Sequence, residues 1–505
     1  MMENKTVNTY RRIVSSTAIF GGAQVLTVLV NIIRGKLVAS ILHSAGMGMS
    51  SVINNAANAI QQFSLMGLNM AAVPDVSKAN TNEDPKVLEF TVRIVRRLVI
   101  LASVLGLAAT LALSPLISKL SFGTSGYTRY FLLLSVAVFF NVMGSGELAI
   151  MQGLRHYKRL AFCNIVPPCC ALLLSIPIYY IWGVEGIVPA MIVLSISYYA
   201  VVRLLSYRYR CPRQERDRIS LRTLWTHGSS ILKFGMMITV SILVGTVTTY
   251  ALTAFISRHG SLADVGFYQA GGAITTQYIG LIFTAMAADF YPHLSELLEK
   301  STADAFRFVN QQMEIIVLIV APMVMLLILS APLAIRILLT EEFLTIQRMV
   351  CFLGLAGIFK ALCFPMDYIA YASSDTRYIL WVETIWGNTK TFTIIAGSYW
   401  LMGLDGLGYG ALASSVIDFI VCLVLFPWRY RFHITPATFR LITVMTVLAT
   451  ACLLCSFITH AALRYTLISS FTLFSIVLSI RLLDRRMNLW DFLGRFKLKW
   501  SKRVE

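Results

Sequence analysis

The sequence predicts an all-α polytopic membrane protein of about fourteen transmembrane helices, built as two pseudo-symmetric six-helix lobes followed by two extra C-terminal helices. Three observations carry this expectation. The first is composition: of 505 residues, 57% are hydrophobic and only 13% charged, with a mean hydropathy of +0.70. A soluble domain is far more charged than this. The second is the recurrence of apolar runs of about 20 residues, long enough to cross roughly 30 Å of hydrocarbon as helices. Membrane β-barrels show short alternating segments instead, and these runs are continuous. The third is charge placement along the chain.

Fourteen runs fall near 13–33, 49–73, 98–117, 130–152, 160–182, 187–205, 231–256, 265–291, 315–335, 349–371, 378–402, 408–427, 441–459 and 465–480. Of the 43 Lys and Arg residues, 33 lie at the termini or in even-numbered loops. Arg93, Arg96 and Arg97 lie in the second loop, Arg155, Lys158 and Arg159 in the fourth, and Arg203 opens the long sixth. Odd loops hold only Lys119, Arg129, Arg258, Arg336, Arg348 and Arg464. One missed span would break this alternation. By the positive-inside rule both termini are cytoplasmic. The net charge of +18 is therefore topogenic rather than a nucleic-acid surface.

The chain divides as a cytoplasmic N-terminus 1–12, an N-lobe 13–205, a basic linker 206–230, a C-lobe 231–427, a terminal helix pair 441–480 and a basic tail 481–505. Internal repetition supports the lobes. Gly48 and Gly266, Pro74 and Pro292, and Ser77 and Ser295 are each 218 residues apart. Val73-Pro74-Asp75-Val76-Ser77 echoes Tyr291-Pro292-His293-Leu294-Ser295, and Pro115-Leu116 with Lys119 echoes Pro332-Leu333 with Arg336. Six spans per lobe preserve orientation, so the repeats relate by an axis along the membrane normal. The tail carries Leu489, Leu493, Phe496 and Trp500 on one helical face. That pattern reads as a helix lying on anionic membrane lipids, with a solvated basic tail as the plain alternative.

No hydrolase, kinase or metal motif is present, so an enzyme is not expected and neither is a resident cofactor. The Cys452-Leu-Leu-Cys455 spacing lacks a companion His or third Cys, and the cysteines read as packing residues. Four cations remain inside or at the edge of spans: Arg34, Lys36, Lys360 and Lys390. A charge at membrane depth is costly and rarely idle. Each of these either snorkels, joins an ion pair or meets an anion in a wet lumen. Lys360 and Asp367 are seven apart on one helix face, and Glu383 and Lys390 repeat that spacing. Glu147, Asp289 and Asp418 are further intramembrane acids that pair with cations or bind H⁺ or Na⁺. Span 2 is unusually polar. Asn54, Asn58, Gln61 and Gln62 share a face, either as a wet cavity wall or as interhelical hydrogen-bonding groups.

Three stretches resemble a known group: Gly35-Lys36-Leu37-Val38-Ala39 with Ala45-Gly46-Met47-Gly48; Val265-Gly266-Phe267-Tyr268-Gln269 with Tyr291 to Ser295; and Gly354 to Ala372 around Lys360. Over residues 10–430 the chain resembles the Wzx-type O-antigen flippases of the multidrug/oligosaccharidyl-lipid/polysaccharide exporter superfamily. The resemblance implies two lobes around a central cavity, and alternating access coupled to an H⁺ or Na⁺ gradient. The substrate it implies is an undecaprenyl-pyrophosphate-linked oligosaccharide moved from the cytoplasmic to the periplasmic leaflet of a bacterial inner membrane. A polysaccharide polymerase and a chain-length regulator are partners compatible with it. Lys36 and Lys360 match basic positions of such flippases. The site expected on this basis is Lys36 and Lys360, with Arg34 and Lys390, on the pyrophosphate. Asn54, Asn58 and Gln61 would lie on the sugars, and Asp367, Glu383, Glu147 and Asp289 are the ion-coupling or ion-pair candidates. A lipid II flippase or a cation-coupled drug exporter of the same superfamily are the alternatives. A membrane glycosyltransferase or polymerase is the alternative of another class.

Overall fold

Apolar stretches in lipid must satisfy their own backbone, and the described residues of this chain do so with helices. The computed structural model describes the backbone of residues 2–81, 85–154, 157–206 and 221–487. Side chains are described within these ranges except at 2–25, 81, 85, 157–158, 161, 164, 221–238, 281–289, 292 and 486–487. The helices are α1 (Met2–Leu65), α2 (Leu68–Thr81), α3 (Pro85–Phe122), α4 (Thr128–Gly153), α5 (Tyr157–Trp182), α6 (Ile187–Ser206) and α7 (Leu221–His259). They continue as α8 (Leu262–Lys300), α9 (Thr302–Leu338), α10 (Gln347–Ala372), α11 (Gly387–Met402), α12 (Leu404–Tyr430), α13 (Pro436–Cys455) and α14 (Ala461–Met487). No strand occurs among the described residues.

Among the described residues, ten stretches are long and apolar enough to cross a membrane. Two of them, Leu26–Leu65 and Ile165–Ser206, are 40 and 42 residues long, so each crosses twice. The first folds back at His43, whose φ of 55° breaks α1 into two arms. The second folds at the 3-10 turn Gly183–Gly186. With α8 and the 378–402 segment, the expected fourteen crossings are accounted for.

Three local features depart from the sequence expectation. The second span, read as one run over 49–73, is interrupted at Met66 and Gly67, which both take positive φ (44° and 69°). The second arm of α1 ends there, and α2 starts afresh at Leu68. The eleventh span opens as a π-helix over Tyr378–Trp386. Its wide turn lets the Thr384 hydroxyl donate to the Ile379 carbonyl five residues back, at 2.8 Å. The lobe boundary also differs. The chain forms one compact unit from Met1–Phe267 with Leu338–Glu342, and a second from Tyr268–Ile337 with Phe343–Glu505. Helix α7, read from sequence as the start of the C-lobe, belongs to the first unit because it packs on α1, α2 and α3.

In the first unit α4 packs against α3 and α6, and α1 against α5. Phe131, Leu134, Val138 and Val142 of α4 are fully buried at helical spacing. In the second unit α9 carries a long buried face. Val309, Met313, Ile316, Val317, Val320 and Val324 lie on its buried face, enclosed by α10 and α13. Lipid is as apolar as these side chains, so close van der Waals packing rather than water exclusion holds them. Helix α13 is tied to α9 by polar contacts as well. Thr435 caps α13 at the Thr438 N–H (3.3 Å), Pro436 fills its first turn, and the Thr438 hydroxyl donates to Glu314 of α9 at 2.7 Å.

Candidate functional site

In the first unit the polar residues of α1 separate into two groups. Asn54 and Asn58 are exposed one turn apart, on a helix otherwise apolar enough to span a bilayer. Amides at that depth need water or a polar ligand. Gln61, expected beside them, is instead half-buried and donates to the Ser145 hydroxyl of α4 at 3.2 Å. Asn55 reaches Thr253 of α7 at 3.5 Å. Lys36 is exposed. Arg34, two residues earlier, turns a different way and donates its Nε to Ser175 of α5 at 3.4 Å, with Tyr179 beside it.

Glu147 of α4, which reads in sequence as an isolated acid, is the centre of a buried network. It is 4% exposed. Arg96 of α3 donates to it from Nε at 3.0 Å and from a terminal nitrogen at 3.2 Å. Arg203 of α6 donates at 2.5 Å, and Ser206 at 3.1 Å. One carboxylate thus ties three helices. Two arginines that mark the loops of the topology also supply its charge partners. The side chain of Asp289 lies outside the described residues.

At the fold-back of α1, breaking the helix at His43 frees the Ser44 N–H at the start of the second arm. Glu342, in the segment that joins α9 and α10 but belongs to the first unit, accepts from that N–H at 3.3 Å and from the Ser44 hydroxyl. His43 Nδ1 lies 3.7 Å from the same carboxylate. An anion at a helix N-terminus is the favoured sign.

In the second unit, Lys360 is exposed midway along α10. Asp367, two turns on, accepts hydrogen bonds from the Tyr378 hydroxyl at 3.1 Å and the Cys422 thiol at 3.9 Å. Glu383, on the π-helical turn, accepts from the Tyr371 hydroxyl at 2.8 Å through Oε1. Its Oε2 is buried without a partner among the described residues. Lys390 does not pair with Glu383, as their spacing allowed. Its ammonium is buried, donates to the Ser414 carbonyl at 2.9 Å and forms an ion pair with Asp418 of α12. With two partners inside the unit, Lys390 is the cation of this set least available to an external anion.

The turn after α10 is pinned by Asp375. It accepts from Arg429 at 2.6 and 2.9 Å, from the Tyr430 hydroxyl at 2.6 Å and from the Tyr378 N–H at 3.2 Å. The Arg429 guanidinium holds this carboxyl well below the usual carboxylate range, against the opposing cost of burial, with Tyr430 and the Tyr378 N–H adding to the effect. The tyrosines that complete these sites, Tyr371 and Tyr378, carried no signal in the sequence beyond their nearness to acids. Nor did Ser44 and Glu342, 298 residues apart.

The family described as polysaccharide biosynthesis protein matches residues 37–348. The chain is 24% identical over 418 residues to the lipid III flippases of Escherichia coli (strain K12) and Shigella flexneri, covering 79% of its own length and 94% of theirs. Among solved structures it resembles the lipid II flippase MurJ in an inward closed conformation, with a TM-score of 0.69 at 12% identity over 93% of this chain and 99% of that one. It also resembles an inward-facing multidrug resistance MATE family transporter of the MOP superfamily, with a TM-score of 0.65 at 17% identity over 83% of this chain and 96% of that one. At these identities the structural likeness establishes a shared fold.

Proposed function

The chain belongs to the polysaccharide biosynthesis protein family, and from that membership we propose that it flips an undecaprenyl-pyrophosphate-linked oligosaccharide across a bacterial inner membrane by alternating access. The cargo on this reading is an O-antigen or related surface-polysaccharide repeat unit, and the direction is from the cytoplasmic to the periplasmic leaflet. The observation that supports it best is the pairing of exposed cations with exposed amides on membrane-spanning helices. Lys36 and Lys360 supply positive charge, and Asn54 and Asn58 supply hydrogen bonds. A pyrophosphate brings negative charge and a glycan brings hydroxyls, and these residue types replace the hydration both must shed. The polyprenyl tail can stay in lipid, so the protein need only shelter the head. A cavity for cationic drugs calls for acids instead, so a drug exporter is the weaker reading.

The transporter stores energy for the return step in an ion site. Asp367 and Glu383 are the candidates, since their described donors are neutral hydroxyls and a thiol. A proton or Na⁺ bound there links the gradient to the state of α10 and the π-helical turn. Glu147, held by two arginines, serves as a structural tie.

The test is complementation of a strain lacking its lipid-linked oligosaccharide flippase, with the lipid intermediates analysed chemically. Restored surface polysaccharide and loss of the accumulated intermediate are expected for the wild type. Lys360→Ala at normal protein level should restore little. Full restoration by that variant removes Lys360 from the site. Rescue of a lipid II or lipid III flippase strain instead reassigns the glycan.

A further inference from the structure

The face of α10 that carries Lys360 also carries rings. Phe364, Asp367 and Tyr371 follow Lys360 at four, seven and eleven residues, which is one helix face, with Tyr368 at its edge. The rings touch in series. Phe364 and Tyr368 have centroids 4.6 Å apart, Tyr368 and Tyr371 5.7 Å, and Tyr291 of α8 joins Tyr368 at 5.6 Å. Tyr371 and Tyr291 are 37% and 41% exposed. The Tyr371 hydroxyl donates to Glu383, whose second oxygen is buried beneath the strip.

Two plain readings account for part of this. Ring contacts between α8 and α10 are packing, but packing alone does not leave the two outer rings open. Tyrosines near span ends often form a lipid-interface belt. A belt faces lipid, however, and does not share its surface with an exposed lysine midway along the helix. That mixture of charge and exposed ring calls for a wet surface and an amphipathic ligand.

We propose that this face of α10 is a glycan-binding strip, in which Phe364, Tyr368, Tyr371 and Tyr291 stack the sugars next to a pyrophosphate held by Lys360. The assignment rests on the flippase reading and adds the glycan subsite to it. A pyranose presents a face of C–H bonds and a rim of hydroxyls. The face packs on an aromatic ring, and the rim needs hydrogen-bonding groups such as a tyrosine hydroxyl. Stacking of this kind is tolerant of sugar identity, while Lys360 on the pyrophosphate fixes where the strip begins.

The experiment uses the full chain in lipid nanodiscs and two probes. One is the lipid-linked oligosaccharide extracted from cells lacking this protein, and the other is undecaprenyl pyrophosphate without sugar. Tyr371→Ala should weaken the glycan-bearing lipid on the order of ten-fold and leave the bare lipid within about two-fold. Tyr371→Phe, which keeps the ring, should weaken the glycan-bearing lipid by less than Tyr371→Ala. Lys360→Ala should weaken both probes. Equal loss of both probes in Tyr371→Ala, or no loss of either, overturns the strip and leaves the flippase reading standing. Failure of the wild-type chain to bind either probe overturns the flippase reading itself.

Discussion

Gly48 of α1 and Gly266 of α8 lie back to back: a Cβ on Gly48 would stand 1.7 Å from the Leu262 carbonyl oxygen, and one on Gly266 would stand 2.0 Å from the Ser44 carbonyl oxygen. The contact is reciprocal, and the two glycines are the same pair that the internal repeat relates at an offset of 218 residues. Small residues let helix backbones approach this closely in a membrane. Gly48→Ala must push one backbone away from the other, an overpacking cost of about 1–3 kcal/mol. The melting temperature of the purified protein in detergent should fall for Gly48→Ala and for Gly266→Ala. The double variant should lose less than the sum, because one displacement relieves both clashes.

Glu147 holds Arg96 and Arg203 together. Glu147→Ala leaves two guanidiniums in one half-buried site without their anion, at a cost of about 3 kcal/mol or more. Lower steady-state protein and a lower melting temperature are expected. Glu147→Gln keeps the shape but not the charge and should recover little of the loss. A variant as stable as wild type would show that the network contributes nothing net.

Lys390 and Asp418 form an ion pair whose two ends differ in exposure. The lysine side chain is 4% exposed and the aspartate 41%. Removing the aspartate strands the lysine, whereas the aspartate left alone can still hydrate. Asp418→Asn should therefore destabilise more than Lys390→Met, by roughly 1–3 kcal/mol. The double variant should sit between wild type and Asp418→Asn. Denaturation of all three by heat in the same detergent separates these ranks.

Asp375 sets an acid limit on the second unit. Its carboxyl is held below the ordinary range by Arg429, so the folded state binds that proton less readily than the unfolded chain. The resulting stabilisation is complete above the unfolded value near pH 4. It is lost as pH falls from there toward the depressed folded value. Between about pH 5 and pH 3 the wild-type melting temperature should fall more steeply than that of Asp375→Asn. Parallel curves would mean that another acid governs this limb.

The all-helical class and the series of membrane-spanning runs were readable from the chain because each depends on residue type and spacing alone. Hydrophobic run length counts the crossings, and Lys and Arg cannot easily cross, so both are visible in one dimension. The exposure of Asn54 and Asn58 was readable for the same reason, since polar groups at helical spacing define a face before any neighbour is known. Partner choice was decided only in three dimensions. Lys390 has Glu383 seven residues before it and Asp418 28 residues after it, and it is paired with the distant one, because α11 packs on α12. Gln61 looked like part of the wet face, yet Ser145 of α4 lies within its reach and takes its amide. Arg96 and Arg203 looked like loop charges, and packing of α4 between α3 and α6 carried Glu147 to them. Sequence spacing determines which side of its own helix a residue occupies. Which helix stands opposite is settled by packing, and with it whether a buried charge is spent on a neighbour or left for a ligand.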